Sequence, residues 1–286
     1  MAYQQNFAFL DEGSKKEIRR AVLKALAIPG YQVPFASREL PIARGWGTGG
    51  LQLSLSLVGP HDVVKVIDQG SDESVNAVNI RQFITSSTGV EETIDTREAT
   101  LIQSRHRVPE VPLRKGQILV LQVPLPEPLR SVEPSERVAK ELHGDKDYAI
   151  GWLNLFEQIM RYETASLNAD HPVMVNDRYL MAPSPIPRFD NPKLNHNDGI
   201  LLFGAGREKK IYAIPPYTTV KSIDFDDYPF QTEDFSQVAC RLSGRQDVFL
   251  DELVDEETGQ TYYQMNDQSY LLQVLNEKEG TRDDFN

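Results

Sequence analysis

Apolar residues return at Ile18, Val22, Ala25 and Leu26, the spacing of one helical face. Just ahead, Ser14 and Glu17 have capping-box spacing, in which a hydroxyl and a carboxylate satisfy free amides at a helix start. The pattern predicts a helix to about Ile28, stopped by Pro29, with Pro29-Gly30-Tyr31 as an exposed turn. The period then changes. Leu51, Leu53, Leu55 and Leu57 alternate with polar residues, which predicts a half-buried strand opened by Gly45-Trp46-Gly47-Thr48-Gly49-Gly50. Glycines that open a strand argue against a P-loop or dinucleotide fingerprint, because both place phosphate at a helix N-terminus. Their amides can form an anion-binding nest or simply a tight bend.

Helical spacing resumes over Val75 to Ser87 with Gly89 near the stop, and Gln117 to Val123 reads as a strand. Prolines 124, 126 and 128 mark a boundary, beyond which Trp152, Phe156 and Ile159 share the face of a helix around Ala149 to Tyr162. Asn176-Asp177 between two apolar runs predicts a tight hairpin, since both residues tolerate positive φ. Ile200 to Phe203 and Ile211 to Ile214 read as paired strands, as do Val248 to Val254 and Tyr262 to Met265 around Thr258-Gly259. The fold class expected is α+β. A mixed or antiparallel sheet body (1–127 and 181–230) carries a helical-hairpin insertion (128–180) and a C-terminal β-hairpin region (231–286).

Charge divides the chain unevenly. Residues 224 to 286 hold 16 Asp/Glu against 4 Lys/Arg, which accounts for the whole net charge of -12. The remaining body is neutral, so there is no basic footprint for nucleic acid, and the acidic tail reads as solvated loops and strand faces. No apolar run approaches the length of a membrane span, and no signal-peptide pattern opens the chain, so a cytoplasmic protein is expected. Cys240 is the single cysteine of 286 residues, which excludes an internal disulfide and an all-cysteine metal site.

Candidate chemistry is sparse. Gly204-Ala205-Gly206-Arg207-Glu208-Lys209-Lys210 joins two strands, and its amides and cations suit either a phosphate or the exposed tip of a hairpin. The carboxylates at Asp224, Asp226 and Asp227 lack an EF-hand loop. Among five histidines none forms a close metal pair. His106 alone lies between arginines, Arg105 and Arg107, whose charge opposes protonation and favours the neutral imidazole that ligates metal.

Several segments in order resemble one family: Ile28 to Phe35, Gly45 to Gly50, Val66 to Gly70, Arg105 to Glu110, Gln122 to Arg130, Pro183 to Pro192, Phe203 to Pro216 and Asp224 to Phe230. Together they are similar to PhnJ, the catalytic-subunit family of the carbon-phosphorus lyase core complex. The resemblance implies partners PhnG, PhnH and PhnI, with the ATP-binding-cassette protein PhnK docking on the insertion. It implies radical cleavage of a ribose 1-alkylphosphonate 5-phosphate, such as the methylphosphonate, to an alkane and a cyclic ribose phosphate. In that chemistry a four-iron four-sulfur cluster reduces S-adenosylmethionine, and a glycine matching Gly30 gives up hydrogen. His106 matches a histidine sharing zinc with PhnI. Gly47, Gly49, Gly204, Gly206 and Arg207, from the local chemistry above, are the candidates for phosphate or cofactor contact.

The tail departs from the family. Its cysteine positions read Cys240, Ser243, Met265 and Leu271 here, the first three associated with the cluster and the last with a thiyl radical. Cys240 is thus the one cluster or metal ligand left. Three readings follow: a lyase that draws thiolates from another subunit or works by another route, a cluster-free binding or structural subunit of the same complex, and an unrelated phosphate-binding module, against which the length of the match weighs.

Overall fold

The computed structural model describes residues 12–29, 33–34, 48–122, 135, 137, 173–181, 188–205, 210–222 and 237–283. The helix expected around 149–162 and the glycines at 30, 47 and 206, with Arg207, lie outside the described residues.

Helix α1 (Glu12–Ala27) buries Ile18, Ala21, Val22 and Ala25. It begins two residues ahead of Ser14, so that serine sits within the first turn instead of capping it. Strand β1 (Val33–Pro34) follows. Residues 48–57 then correct the periodicity reading: they form helix α2 (Thr48–Leu57), not a strand. The reason is enclosure on all sides. Leu51 and Leu55 enter one apolar core while Leu53 enters another, and Gln52, Ser54 and Ser56 are buried as well. A helix wedged between two cores has no wet face to reveal its period.

Strand β2 (Val63–Asp68) leads to α3 (Val75–Thr88), capped by Ser74, whose hydroxyl accepts from the Ala77 amide, and ended by Gly89 in the left-handed region at φ 74°. After β3 (Glu91–Glu92), β4 (Leu101–Arg105) and β5 (Ile118–Gln122) comes the predicted hairpin, β6 (Val173–Val175) and β7 (Arg178–Met181), with Asn176 and Asp177 both at positive φ. A 3-10 helix (Arg188–Leu194) precedes β8 (Ile200–Ala205), β9 (Lys210–Ile214) and β10 (Val220–Ser222). The tail forms the expected hairpin, β11 (Leu250–Val254) and β12 (Thr261–Met265), and then helix α4 (Gln268–Asp283), which the sequence reading did not anticipate.

The fold is α+β on a mixed seven-stranded sheet ordered β1-β9-β8-β5-β4-β2-β3. Its five-stranded heart, β8-β5-β4-β2-β3, is parallel, and β9 runs antiparallel beside β8. Parallel strands buried on both faces read as unbroken apolar runs, as in Ile118-Leu119-Val120-Leu121. Helices α1, α2 and α3 pack one face. The other face forms a core with Leu194 of the 3-10 helix, Val175 of the hairpin and Val220 of β10.

The tail is fastened to this body by buried charge. Lys65, wholly buried in β2, donates to the Ile94 carbonyl at 2.7 Å and the Ser269 hydroxyl of α4 at 2.7 Å, and pairs with Asp72 at 3.2 Å. Burial pushes the Asp72 carboxyl up; Lys65 opposes that and the Asp267 charge reinforces it, leaving a raised value. A second cluster lies at Arg107, whose Nε donates to Asp190 at 2.6 Å. Its guanidinium carbon stands 3.9 Å from the centre of the Phe249 ring of the tail, and Lys193 meets Asp190 and Glu110. Burial raises the Asp190 carboxyl, but the Arg107 hydrogen bond and charge, with Lys193, outweigh it and hold the carboxyl below its ordinary range.

Two outcomes are expected. Lys65→Met leaves Asp72 and Ser269 without their cation and lowers stability by about 3 kcal/mol, measured by urea unfolding. A depressed Asp190 stabilises the native state above the unfolded carboxylate value of about 3.9 and loses that contribution as pH falls through its folded value. Asp190→Asn therefore costs about 3 kcal/mol at neutral pH and flattens the stability decline below about pH 4, read from thermal melts across that range.

Candidate functional site

The parallel strands end in one row. Asp68 of β2 pairs in register with Arg105 of β4, Arg105 with Gln122 of β5, and Gln122 with Gly204 of β8. Such a carboxyl edge is where open sheets of this kind bind ligands, because the strands deliver side chains there while the loops diverge to make a crevice. Arg105 is fixed to Asp68 through two contacts, Nε to Oδ1 at 2.6 Å and Nη2 to Oδ2 at 2.7 Å. The strands break sharply. Gln69 after β2 and His106 after β4 both take positive φ, 53° and 72°, a conformation that costs a non-glycine residue roughly 1 kcal/mol.

Helix α2 starts over this row. A Cβ on Gly50 would meet the Gln122 Cβ at 2.5 Å and Cα at 2.6 Å, so only glycine lets the helix N-terminus lie directly on the end of β5. The correction at residues 48–57 reverses the argument against phosphate: Gly49 and Gly50 open a helix, and its first amides have no intrahelical acceptor. Beneath them runs a polar ladder. The Ser54 hydroxyl donates to Gln103 Oε1, and Gln103 Nε2 donates to Gln122 Oε1 at 3.4 Å. The ladder stops at Gln122 Nε2, a buried donor without a partner among the described residues.

His106 lies half-buried on the same edge, between Arg105 held by Asp68 and Arg107 held by Asp190. Both guanidinium groups thus face a carboxylate. Among the described residues no three His, Cys, Asp or Glu side chains converge on a metal position. His196 is structural: Nδ1 lies 3.1 Å from the Tyr217 carbonyl. Of the glycine-loop candidates, Gly49 and buried Gly204 belong to this edge.

Cys240 is elsewhere, in the core of the tail. Its Sγ accepts from the amides of Ser243 and Met265, each at 3.4 Å. Burial pushes the thiol up, but donation from the Ser243 hydroxyl and from the amides of Ser243, Met265 and Leu242 outweighs it, leaving a lowered value. Met265 and Leu271 pack with Cys240, Val248 and Leu250, and Ser243 is also buried. The fold thus gathers all four positions, 240, 243, 265 and 271, into one unit. One thiol, a hydroxyl, a thioether and a hydrocarbon do not fit a four-iron four-sulfur cluster, whose irons take thiolates.

Sequence reasoning missed Lys65, Asp68, Gln103, Gln122 and Asp190. A signal was present for some: Lys65 interrupts an apolar strand, and Asp68 and Gln122 each end one.

The family model described as "Phosphonate metabolism protein PhnJ" matches residues 3–277. The chain is 50% identical over 268 residues to the Alpha-D-ribose 1-methylphosphonate 5-phosphate C-P lyase of Escherichia coli (strain K12), covering 94% of this chain and 95% of that one. It is 54% identical over 254 residues to the Alpha-D-ribose 1-methylphosphonate 5-phosphate C-P-lyase of Rhizobium meliloti (strain 1021), covering 89% and 85% respectively. With the described parts of the resembling segments, 48–50, 66–70, 105–110, 122 and 203–205, gathered at one sheet edge, the chain belongs to the PhnJ family of phosphonate metabolism proteins.

Proposed function

We propose that this chain is a carbon-phosphorus lyase subunit of phosphonate catabolism that holds a ribose 1-alkylphosphonate 5-phosphate on the carboxyl edge of its sheet. The carrying observation is the convergence there of the α2 N-terminus, the Gln122 Nε2 that has no partner among the described residues, and the row Asp68-Arg105-Gln122-Gly204. Two kinds of donor, helix amides and a side-chain amide, suit the dianionic phosphate of such a sugar. The 50–54% identical relatives carry names that state this substrate.

In this reading the overall reaction releases the alkane and leaves a cyclic ribose phosphate. His106 presents an imidazole to zinc whose remaining ligands come from PhnI, and Gly206 and Arg207 extend the anion contacts from the β8–β9 loop. If radical chemistry operates, Gly30 is the hydrogen-donating position and S-adenosylmethionine the radical source, its cleaving electron supplied by an iron-sulfur centre on another polypeptide. PhnG and PhnH complete the core, PhnK docks on residues 128–180, and the assembly is cytoplasmic. Among the described residues no helix is long and apolar enough to cross a membrane. No step of bond cleavage is assigned to an iron-sulfur cluster on this chain, because the residues at its position do not suit one. That same observation favours the second reading, a binding subunit of the complex without radical chemistry of its own.

Calorimetry of the co-expressed complex with ribose 1-methylphosphonate 5-phosphate tests the site. Gln122→Glu keeps the acceptor for Gln103 and replaces the free donor with a carboxylate oxygen; it weakens binding by about tenfold or more while the fold persists by circular dichroism. Unchanged affinity removes Gln122 and the α2 terminus from the site. Methane formed from the same compound under anaerobic conditions selects the lyase reading, and binding without methane selects the binding subunit.

A further inference from the structure

The tail from 237 to 283 holds its four gathered positions in a way that separates backbone from chemistry. The backbone keeps a sulfur cradle. Cys240 and Ser243 flank a tight loop in which the Gly244 amide returns to the Cys240 carbonyl at 2.7 Å, and the amides of Ser243 and Met265 point at Sγ. Amide donors of this kind set the electron density of cluster sulfurs, and a lone buried thiol does not require them. The side chains, however, close the space. Cys240, Met265 and Leu271 form one apolar core with Val248 and Leu250, each 7% exposed or less. Cys240 is 2% exposed, so a thiolate-bearing partner chain has no route to complete a site around it.

The unit nevertheless stays tightly docked at the carboxyl edge. The Phe249 amide donates to Glu110 at 3.3 Å, Phe249 covers Arg107, Gln273 donates to Asp95 at 3.0 Å, and Asn266 occupies the space a Cβ on Gly70 would need. These contacts do not involve the four positions. Their number and burial are what a wall of the substrate crevice requires, whether or not iron lies behind it.

We infer that the tail of this chain is a cluster-binding module whose sulfur ligands have been replaced by a hydrocarbon core, so that it holds no iron and serves as a fixed wall beside the carboxyl edge. The identification of the ligand positions rests on the family reading above. The chemistry is that of a four-iron four-sulfur cluster losing its thiolate donors while its amide cradle and docking surface persist.

The test uses the co-expressed complex, reconstituted anaerobically with ferrous iron and sulfide. The unsubstituted protein should retain iron and acid-labile sulfide at background, and Cys240→Ala should lower thermal stability without changing either. Ser243→Cys with Met265→Cys should gain one four-iron cluster per chain, seen as brown charge-transfer absorption and matching iron and sulfide. A cluster on the unsubstituted chain that disappears in Cys240→Ala overturns the inference, as does a folded double variant that stays colourless. Should the double variant not fold, Ser243→Cys alone decides: its C-x-x-C pair should bind cobalt(II) with sulfur-to-metal absorption absent from the parent protein, and a folded single variant without it overturns the inference. Sugar-phosphate affinity is measured on the same unsubstituted complex. Iron-free protein that binds the sugar upholds both readings, whereas iron-free protein that does not bind it defeats the edge site alone.

Discussion

Arg105 and Arg107 leave the end of β4 one residue apart, and each meets an aspartate brought from elsewhere in the chain, Asp68 and Asp190. Between them His106 adopts a left-handed conformation, uncommon outside glycine. The two ion pairs brace the chain on either side of it. Bidentate or buried arginine-carboxylate pairs are directional as well as strong, so they fix the path of the chain on both sides of the strained residue. From that fixed turn follows the position of the imidazole, the seating of the 3-10 helix through Asp190, and the stacking of Phe249 on the Arg107 guanidinium. Losing Asp190 would leave the buried Arg107 guanidinium with Glu110, at 3.3 Å, as its carboxylate partner among the described residues.

The same economy appears in the sheet. Gly50 lets a helix terminus lie against β5, and the residues that such an approach buries are polar ones arranged as a ladder, Ser54 to Gln103 to Gln122. A core that encloses amides must satisfy them, and among the described residues it does so for every ladder atom but the last donor. An unsatisfied donor at the end of parallel strands, beside a helix N-terminus, suits a place where a ligand completes the hydrogen bonding.

Much of this was legible from sequence, and the failures have physical causes. The hairpins at Asn176-Asp177 and Thr258-Gly259 were readable because turn chemistry is local, and α3 because its cap, stripe and terminal glycine agree. Residues 51–57 misled because alternation of leucine with serine and glutamine signals a strand only when one face is wet; here both faces are dry. That single error carried into function, since it turned a helix-opening glycine pair into a strand-opening one. The Arg107-Asp190 pair, 83 residues apart, and the Lys65-Ser269 contact, 204 apart, are set by tertiary folding and leave no local trace. That Ser243, Met265 and Leu271 stand where the resemblance expects cysteines could be read from the sequence, but that these positions assemble with Cys240 into one closed core is visible only in three dimensions.

The contact from Lys65 to Ser269 also bears on how the chain comes into being. During synthesis the residues up to β5 can pair before α4 has been made, and at that stage Lys65 can meet Asp72 and the Ile94 carbonyl but not Ser269. That face of β2 stays unsealed through most of translation. The residues of α4, 204 positions after Lys65 at Ser269, are therefore the ones that finish its burial, and a nascent chain stalled short of them leaves an open sheet face for a chaperone to cover.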